Sequence, residues 1–253
     1  MKKNNKVIIL IPAYNTEKEI FEVFKDLEKV SQFFNEIIIV DDFSKDKTLQ
    51  NIIEIKKKWN NKKKKIFAFH HKINLGYGGA QKTLYKHFLE RKGDIAVLIH
   101  SDNQYSPKYI KNLIKPILED KADIVLASRF YKNLNYHQEM PVYKIIGNRF
   151  LTLLENYVLK TNLTEFHTGL RAYSKRFIQD ISFINYSNRF VFDSEILFDA
   201  IDKKMRISEI PIFAQYKDTF SNVNSIIYGS RILFLIIKYL FKKIFKPNES
   251  FIN

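Results

Sequence analysis

Short runs of consecutive apolar, largely β-branched residues punctuate the first half of the chain: Val7-Ile8-Ile9-Leu10-Ile11, Glu36-Ile37-Ile38-Ile39-Val40, Ile66-Phe67-Ala68-Phe69, Asp94-Ile95-Ala96-Val97-Leu98-Ile99 and Asp123-Ile124-Val125-Leu126-Ala127. Runs of this length without alternation predict parallel strands covered on both faces. Helical patterns lie between them. Thr16, with Glu19 three residues on, predicts a capping box, and Ser106-Pro107 predicts an N-cap followed by proline in the first turn. Strand and helix in repeated alternation predict an α/β fold, an open, mostly parallel sheet with helices on both faces.

Ligands of such sheets bind at the carboxyl ends of the strands, where helix N-termini leave backbone N–H groups free. The polar residues that follow each strand are therefore the candidates. They read Pro12-Ala13-Tyr14-Asn15, Asp41-Asp42-Phe43-Ser44-Lys45-Asp46-Lys47-Thr48, His70 through Asn74-Leu75-Gly76-Tyr77-Gly78-Gly79-Ala80, and His100-Ser101-Asp102-Asn103-Gln104-Tyr105. The glycines do not match a dinucleotide GxGxxG fingerprint, and no Gly-Lys-Ser/Thr follows them, which argues against an oxidoreductase or a P-loop enzyme. A tight turn or close backbone approach to a ribose or phosphate would each explain Gly76 and Gly78.

Beyond Arg129 the rhythm changes. A polar stretch runs to Met140, an amphipathic helix is predicted from about Tyr143 to Lys160, a further helix from about Asp193 and a strand near Arg206 to Ile212. No Gly-, Ser- or Pro-rich linker separates the halves. The expected organisation is one unit over 1–224, in two halves (1–130 and 131–224), followed by a basic amphipathic helix and tail over 225–253. In that helix Arg231, Lys238, Lys242 and Lys246 recur at helical intervals. Its uncharged runs are shorter than the roughly 20 residues that span a bilayer, so it is expected to lie in a membrane interface, with docking on the domain's own core as the alternative.

The 253 residues, 45% hydrophobic and 27% charged, suffice for one large core. There is no cysteine, which excludes disulfides and thiolate metal sites, and the Met1-Lys2-Lys3 start lacks a signal-peptide apolar core, so a cytoplasmic protein is expected. The net charge of +15 fits an anionic membrane surface as partner, with a general bias of composition toward Lys, Asn, Ile and Phe as the alternative explanation. The lysines are dispersed and no helix-turn-helix, RRM or zinc pattern occurs, so no nucleic-acid partner is expected.

In their order and spacing, the strand-end motifs, together with Ala127-Ser128-Arg129-Phe130, His167-Thr168-Gly169-Leu170-Arg171-Ala172-Tyr173 and Phe192-Asp193-Ser194-Glu195, resemble glycosyltransferase family 2 and its polyprenyl-phosphate mannosyltransferase-like members. The resemblance implies a GT-A catalytic domain over 1–224, with a nucleotide-sugar-binding half (1–130) and an acceptor-side half (131–224), and an inverting transfer of sugar from a nucleoside-diphosphate sugar to a lipid-phosphate or glycan acceptor at the inner membrane face. It places Tyr14 and Asp42 against the nucleoside with Asp41 beside them, in a donor site that also includes Pro12, Asn15, Asn74, Gly76, Gly78 and Ser101. It places Asp102 and Gln104 on a divalent cation, Mn²⁺ or Mg²⁺, with His100 where the family's first Asp is usual. An imidazole there suits Mn²⁺ better than Mg²⁺, and a histidine satisfied at a strand end is the competing role. Arg129 and Arg171 are implied phosphate partners, with salt bridges to nearby carboxylates as the alternative. Asp193 or Glu195 would serve as general base for a hydroxyl acceptor, whereas a lipid phosphate needs none. A catalytically inactive sugar-nucleotide-binding protein is the alternative of another class.

Overall fold

A computed structural model describes residues 5–60, 64–131, 140–213, 225–245 and 251. The strands β1 (Val7–Ala13), β2 (Glu36–Asp41), β3 (Lys65–His70), β4 (Ile95–Leu98), β5 (Ile124–Ser128), β6 (Arg171–Ser174) and β7 (Ile207–Pro211) form one sheet in the order β3-β2-β1-β4-β6-β5-β7. Eight helices accompany them among the described residues: α1 (Ile20–Lys29), α2 (Thr48–Asn60), α3 (Tyr77–Glu90), α4 (Ile110–Leu118), α5 (Val142–Leu159), α6 (Lys175–Asp180), α7 (Phe192–Asp202) and α8 (Ser225–Phe245).

Alternate residues of each central strand feed two separate cores, which is why these strands read as unbroken apolar runs. Ile8, Leu10, Ile38 and Val40 pack with Leu84 and Phe88 of α3, Phe192 and Phe198 of α7 and Ile232 of α8. Ile9, Ile11, Ile37 and Ile39 pack with Val23 and Phe24 of α1, Ile52 of α2 and Leu113 of α4. The mostly parallel α/β sheet expected from the sequence is present. Its one antiparallel member is β6, which pairs with both β4 and β5.

The Thr16 capping box does not form. The residue at the N-cap of α1 is Glu19, without a side-chain bond, and the Thr16 carbonyl accepts the amides of Glu19 and Ile20 at 3.2 and 3.0 Å. Thr16 is held elsewhere, its own amide donating to Thr48 Oγ1 at 2.8 Å. Ser106 does cap, accepting the Lys108 amide at 3.4 Å, but it opens a short 3₁₀ turn that leads into α4. The polar stretch before Met140 and part of the lysine-rich run after α2 lie outside the described residues, as does Lys246.

The C-terminal helix docks on the domain. Ile232, Leu235, Ile236 and Tyr239 of α8 are buried, Tyr239 meets Phe198 of α7 at 5.4 Å between ring centroids, and α8 lies against α5. Its other side is exposed and apolar, including Phe234, Ile237, Phe241, Ile244 and Phe245, and α5 also exposes Tyr143, Ile146, Phe150, Leu153 and Tyr157. Among the described residues no helix is long and apolar enough to cross a membrane.

Candidate active site

Strands β2 and β3 lie to one side of β1 and β4 to the other, so the chain reverses its direction of sheet growth between β1 and β4. Crevices form at such a point outside the strand carboxyl ends. The register aligns those ends: Ala13 pairs with Asp41 and Asp41 with His70, while the Ile99 amide donates to Leu10 O at 3.0 Å. The segments that carry Tyr14, Asp41, Asp42 and Asp102 thus leave the same edge of the sheet. Several candidates act as ties between these loops. Ser101 Oγ donates to Pro12 O at 3.0 Å, the Asn15 amide to Ser44 Oγ at 3.0 Å, and the Lys45 amide to Asn15 Oδ1 at 2.8 Å. Tyr14 stays 38% exposed, an aromatic face open to a planar base.

The two neighbouring aspartates differ in what they have left to offer. Asp42 accepts the amides of Leu75 and Gly76, each at 2.8 Å, and lies 2.7 Å from His71 Nδ1, while Asn74 Nδ2 donates to its carbonyl at 2.9 Å. Its carboxylate is the organiser of the loop before α3. Asp41 holds His70 Nδ1 at 2.7 Å and the Ser44 amide at 3.3 Å through Oδ2, but its buried Oδ1 has no hydrogen-bond partner among the described residues. A buried carboxylate oxygen without a partner is costly, and a ligand N–H or O–H would satisfy it. Of these two aspartates it is therefore Asp41 that keeps a free acceptor, where the resemblance pointed first to Asp42.

The glycines admit protein backbone. A Cβ on Gly76 would stand 2.5 Å from Asn188 O, and one on Gly78 2.3 Å from Ser187 O and 2.9 Å from Phe192 Cβ. The Gly78 amide donates to Asn188 O at 3.0 Å, and Gly76 has φ +84°. The close approach that these residues permit is that of the segment before α7, which sets where α7 begins.

From α7, Asp193 reaches α3. Its Oδ1 accepts Gln81 Nε2 at 2.7 Å and its Oδ2 accepts the Tyr77 hydroxyl at 2.9 Å, and the same hydroxyl lies 2.8 Å from His100 Nε2. Burial, with Asp193 next in effect, pushes the Tyr77 phenol well above its usual pKa, so it stays a hydrogen donor. Glu195 accepts the Ser187 amide at 2.6 Å, and burial raises its carboxyl above the usual range. Tyr77, His70 and His71 carry no pattern of their own in the sequence, only a place in the strand-end runs, and Gln81 lies just beyond them.

Neither candidate arginine presents a free guanidinium, which corrects the expectation that they face phosphates. Arg129 is buried against fully buried Glu165: its amide and Nε donate to the carboxylate at 2.7 and 2.8 Å, Nη2 forms the ion pair, and Nη2 also donates to His167 O at 3.1 Å. Arg171 is fully buried and donates to Thr168 O, Asp193 O and Phe166 O at 2.7, 2.9 and 2.9 Å, tying β6 to α7. Both hold the frame of the site.

Asp102 follows β4, its Oδ1 accepting the Gln104 amide at 3.0 Å. No protein donor among the described residues takes its Oδ2. No three His, Asp or Glu side chains among the described residues converge on one point. This donor set fits a cation completed by phosphate oxygens of a ligand and does not make a cage of protein ligands alone.

The glycosyl transferase family 2 model matches residues 8–182, which takes in β1 to α6 and leaves α7 beyond it. The UDP-N-acetylglucosamine–dolichyl-phosphate N-acetylglucosaminyltransferase of Methanococcus voltae is 32% identical over 240 residues, 91% of this chain and 94% of the relative. The dolichol-phosphate mannosyltransferase of Pyrococcus furiosus is 32% identical over 128 residues, 50% of this chain and 34% of its own. Among solved structures, glucosyl-3-phosphoglycerate synthase of Mycobacterium tuberculosis, in complex with Mn²⁺, UDP and phosphoglyceric acid, superimposes with a TM-score of 0.65 over 92% of this chain and 78% of its own, at 17% identity. That likeness confirms the GT-A fold, and the matched span covers the strand ends whose carboxylates were just placed: the chain belongs to glycosyltransferase family 2 and is a glycosyltransferase.

Proposed function

We propose that the protein transfers a sugar from a nucleoside-diphosphate sugar to a polyprenyl phosphate at the cytoplasmic face of a membrane. The observation that carries the donor half is the meeting of β1, β2 and β4 ends at one edge, with the orphaned Asp41 Oδ1 beside exposed Tyr14 and with Asp102 on the adjoining strand. In this reading Tyr14 stacks on the base, Asp41 Oδ1 accepts from the nucleoside, and Asp102 with Gln104 holds the diphosphate through a divalent cation. That cation, when bound, stabilises the charge of the departing nucleoside diphosphate.

The acceptor half rests on α7, α5 and α8. Both Asp193 oxygens accept hydrogen bonds from α3 and Glu195 Oε2 accepts the Ser187 amide, so in this reading the α7 carboxylates position the frame of the site. A phosphate acceptor is already an anion. Its oxygen attacks the anomeric carbon, the bond from that carbon to the diphosphate breaks with its electron pair on the leaving group, and the configuration inverts. The exposed apolar faces of α5 and α8 supply a surface on which a lipid acceptor is presented, with Arg231 and Lys238 exposed on α8 to meet anionic headgroups. The M. voltae relative, named for transfer to dolichyl phosphate, supports the same acceptor class.

Purified protein given labelled UDP-N-acetylglucosamine, UDP-glucose or GDP-mannose with a polyprenyl phosphate in anionic vesicles is expected to yield an organic-extractable, acid-labile product. Label appearing only on hydroxyls of a glycan or glycolipid would replace this acceptor with the second reading; nucleotide binding without any transfer would reduce the protein to a binding function.

A further inference from the structure

With Arg129 and Arg171 spent on the frame, an acceptor phosphate needs another donor group. The backbone around the start of α3 does not supply it, since the amides of Leu75 and Gly76 donate to Asp42 and that of Gly78 to Asn188 O. Arg149 of α5 is exposed, and among the described residues no hydrogen bond or ion pair holds its guanidinium. Its Cζ lies 5.4 Å from the centroid of the Phe130 ring, which is itself buried. An arginine over an aromatic face is located by the ring and keeps its fork of N–H donors for a ligand.

Strand register puts this residue at the working edge of the sheet. Arg171 of β6 pairs with Leu98 of β4 and with Leu126 of β5, antiparallel to both, so β4 and β5 run the same way and stand level. Asp102 lies four residues past Leu98, and Phe130 lies four residues past Leu126. One strand separates β4 from β5, so the two chains leave the sheet about 10 Å apart. Helix α5 is tied down at the same place. Asn148, next to Arg149, donates from Nδ2 at 3.1 Å to Glu165 Oε1, the oxygen that also accepts Arg129 Nε.

The rest of α5 has the character of a lipid's path. Ile146, Phe150, Leu153 and Tyr157 are exposed, and steps of four, three and four residues put them on one stripe of the helix. Arg149 borders that stripe, three residues after Ile146 and four before Leu153, while Thr152, Glu155 and Leu159 on the opposite side are buried. A guanidinium at the border of an apolar stripe complements an anionic head on a long apolar chain.

We propose that Arg149 receives the phosphate of the polyprenyl-phosphate acceptor, and that the exposed stripe of α5 carries the isoprene units next to it. The inference rests on the acceptor reading above and deepens it by assigning the residue and the helix. Arg149 binds and orients the acceptor oxygen opposite the donor held at Asp102, and it exchanges no proton in the transfer.

The test uses the full chain in flotation with phosphatidylcholine vesicles that carry a polyprenyl phosphate, the parent polyprenol, or phosphatidylglycerol. Transfer from labelled UDP-N-acetylglucosamine, UDP-glucose or GDP-mannose is measured alongside. The wild type is expected to prefer the polyprenyl-phosphate vesicles to the polyprenol ones. Arg149→Gln should cut that preference about 10–100-fold and raise KM for the polyprenyl phosphate by a similar factor, at unchanged donor-nucleotide affinity. Arg149→Lys should recover part of the preference, because a point charge replaces the fork. An unchanged preference and KM in Arg149→Gln overturns the inference. So does an equal loss on phosphatidylglycerol vesicles, which would make the guanidinium a contact for membrane headgroups at large, or a loss of donor affinity as large as the loss of acceptor affinity, which would make it part of the frame. These three results leave the polyprenyl-phosphate reading standing. A wild type that does not distinguish polyprenyl phosphate from polyprenol, or that transfers only to hydroxyls, overturns that reading and the inference together.

Discussion

Replacing Glu165 with Gln asks whether Arg129 belongs to the frame or to the ligand. Glu165 is fully buried and its two oxygens accept the Arg129 amide, the Arg129 guanidinium and Asn148 Nδ2, the last at 3.1 Å. Gln keeps the shape but removes the charge, leaving a guanidinium that is itself 5% exposed without its counter-ion. Breaking one side of a buried pair costs about 3–5 kcal/mol, because the remaining ion is neither hydrated nor compensated. For a domain of this size each kcal/mol moves the melting temperature by about 2–4 °C. The expected fall in Tm is therefore about 6–20 °C, read by circular dichroism or differential scanning calorimetry. Nucleotide-sugar affinity, measured by calorimetry well below the new Tm, should stay within about twofold, since no ligand contact is removed. A double-mutant cycle with Arg129→Met should give coupling on the order of kcal/mol. A Glu165→Gln protein of unchanged Tm that binds donor poorly would refute this reasoning and return Arg129 to the phosphates.

Three further outcomes are expected. Asp41→Asn should weaken nucleotide binding at nearly unchanged stability, whereas Asp42→Asn, which disturbs the acceptor of two backbone amides, should cost about 1–3 kcal/mol in urea unfolding; equal effects on binding alone would contradict the assignment. Gly78→Ala should cost about 1–3 kcal/mol by overpacking and shift the start of α7, because its Cβ would meet backbone at Ser187 O; a variant as stable as wild type would show that the 187–188 segment yields freely. The raised Glu195 carboxyl favours the protonated folded state, so its contribution is fully present below the ordinary value of 4.5 and is lost as pH rises through the raised one. Glu195→Gln should accordingly gain stability relative to wild type as pH goes from 4.5 to neutral in a Tm series, and parallel curves would deny the shift.

Most of the fold is legible in the sequence because its signals are local. A strand covered on both faces must be apolar at every position, so β1, β2 and β4 can be read from five or six consecutive residues. The strand ends then name the loops to inspect, and Tyr14, Asp41, Asp42 and Asp102 all lie there. What local pattern does not carry is which partner a polar group meets. Arg129 finds Glu165 36 residues away and Tyr77 finds Asp193 116 residues away, and no periodicity links such pairs. The antiparallel β6 is hidden for the same reason, since strand direction depends on where the chain returns. So is the choice between adjacent Asp41 and Asp42, identical in type and both buried, where the amides of Leu75 and Gly76 decide which carboxylate is engaged and which keeps an oxygen for a ligand. Hydrophobic order along the chain thus determined the sheet and its working edge, while tertiary contact decided the role of each charged group on it, because burial makes every such group find a specific partner.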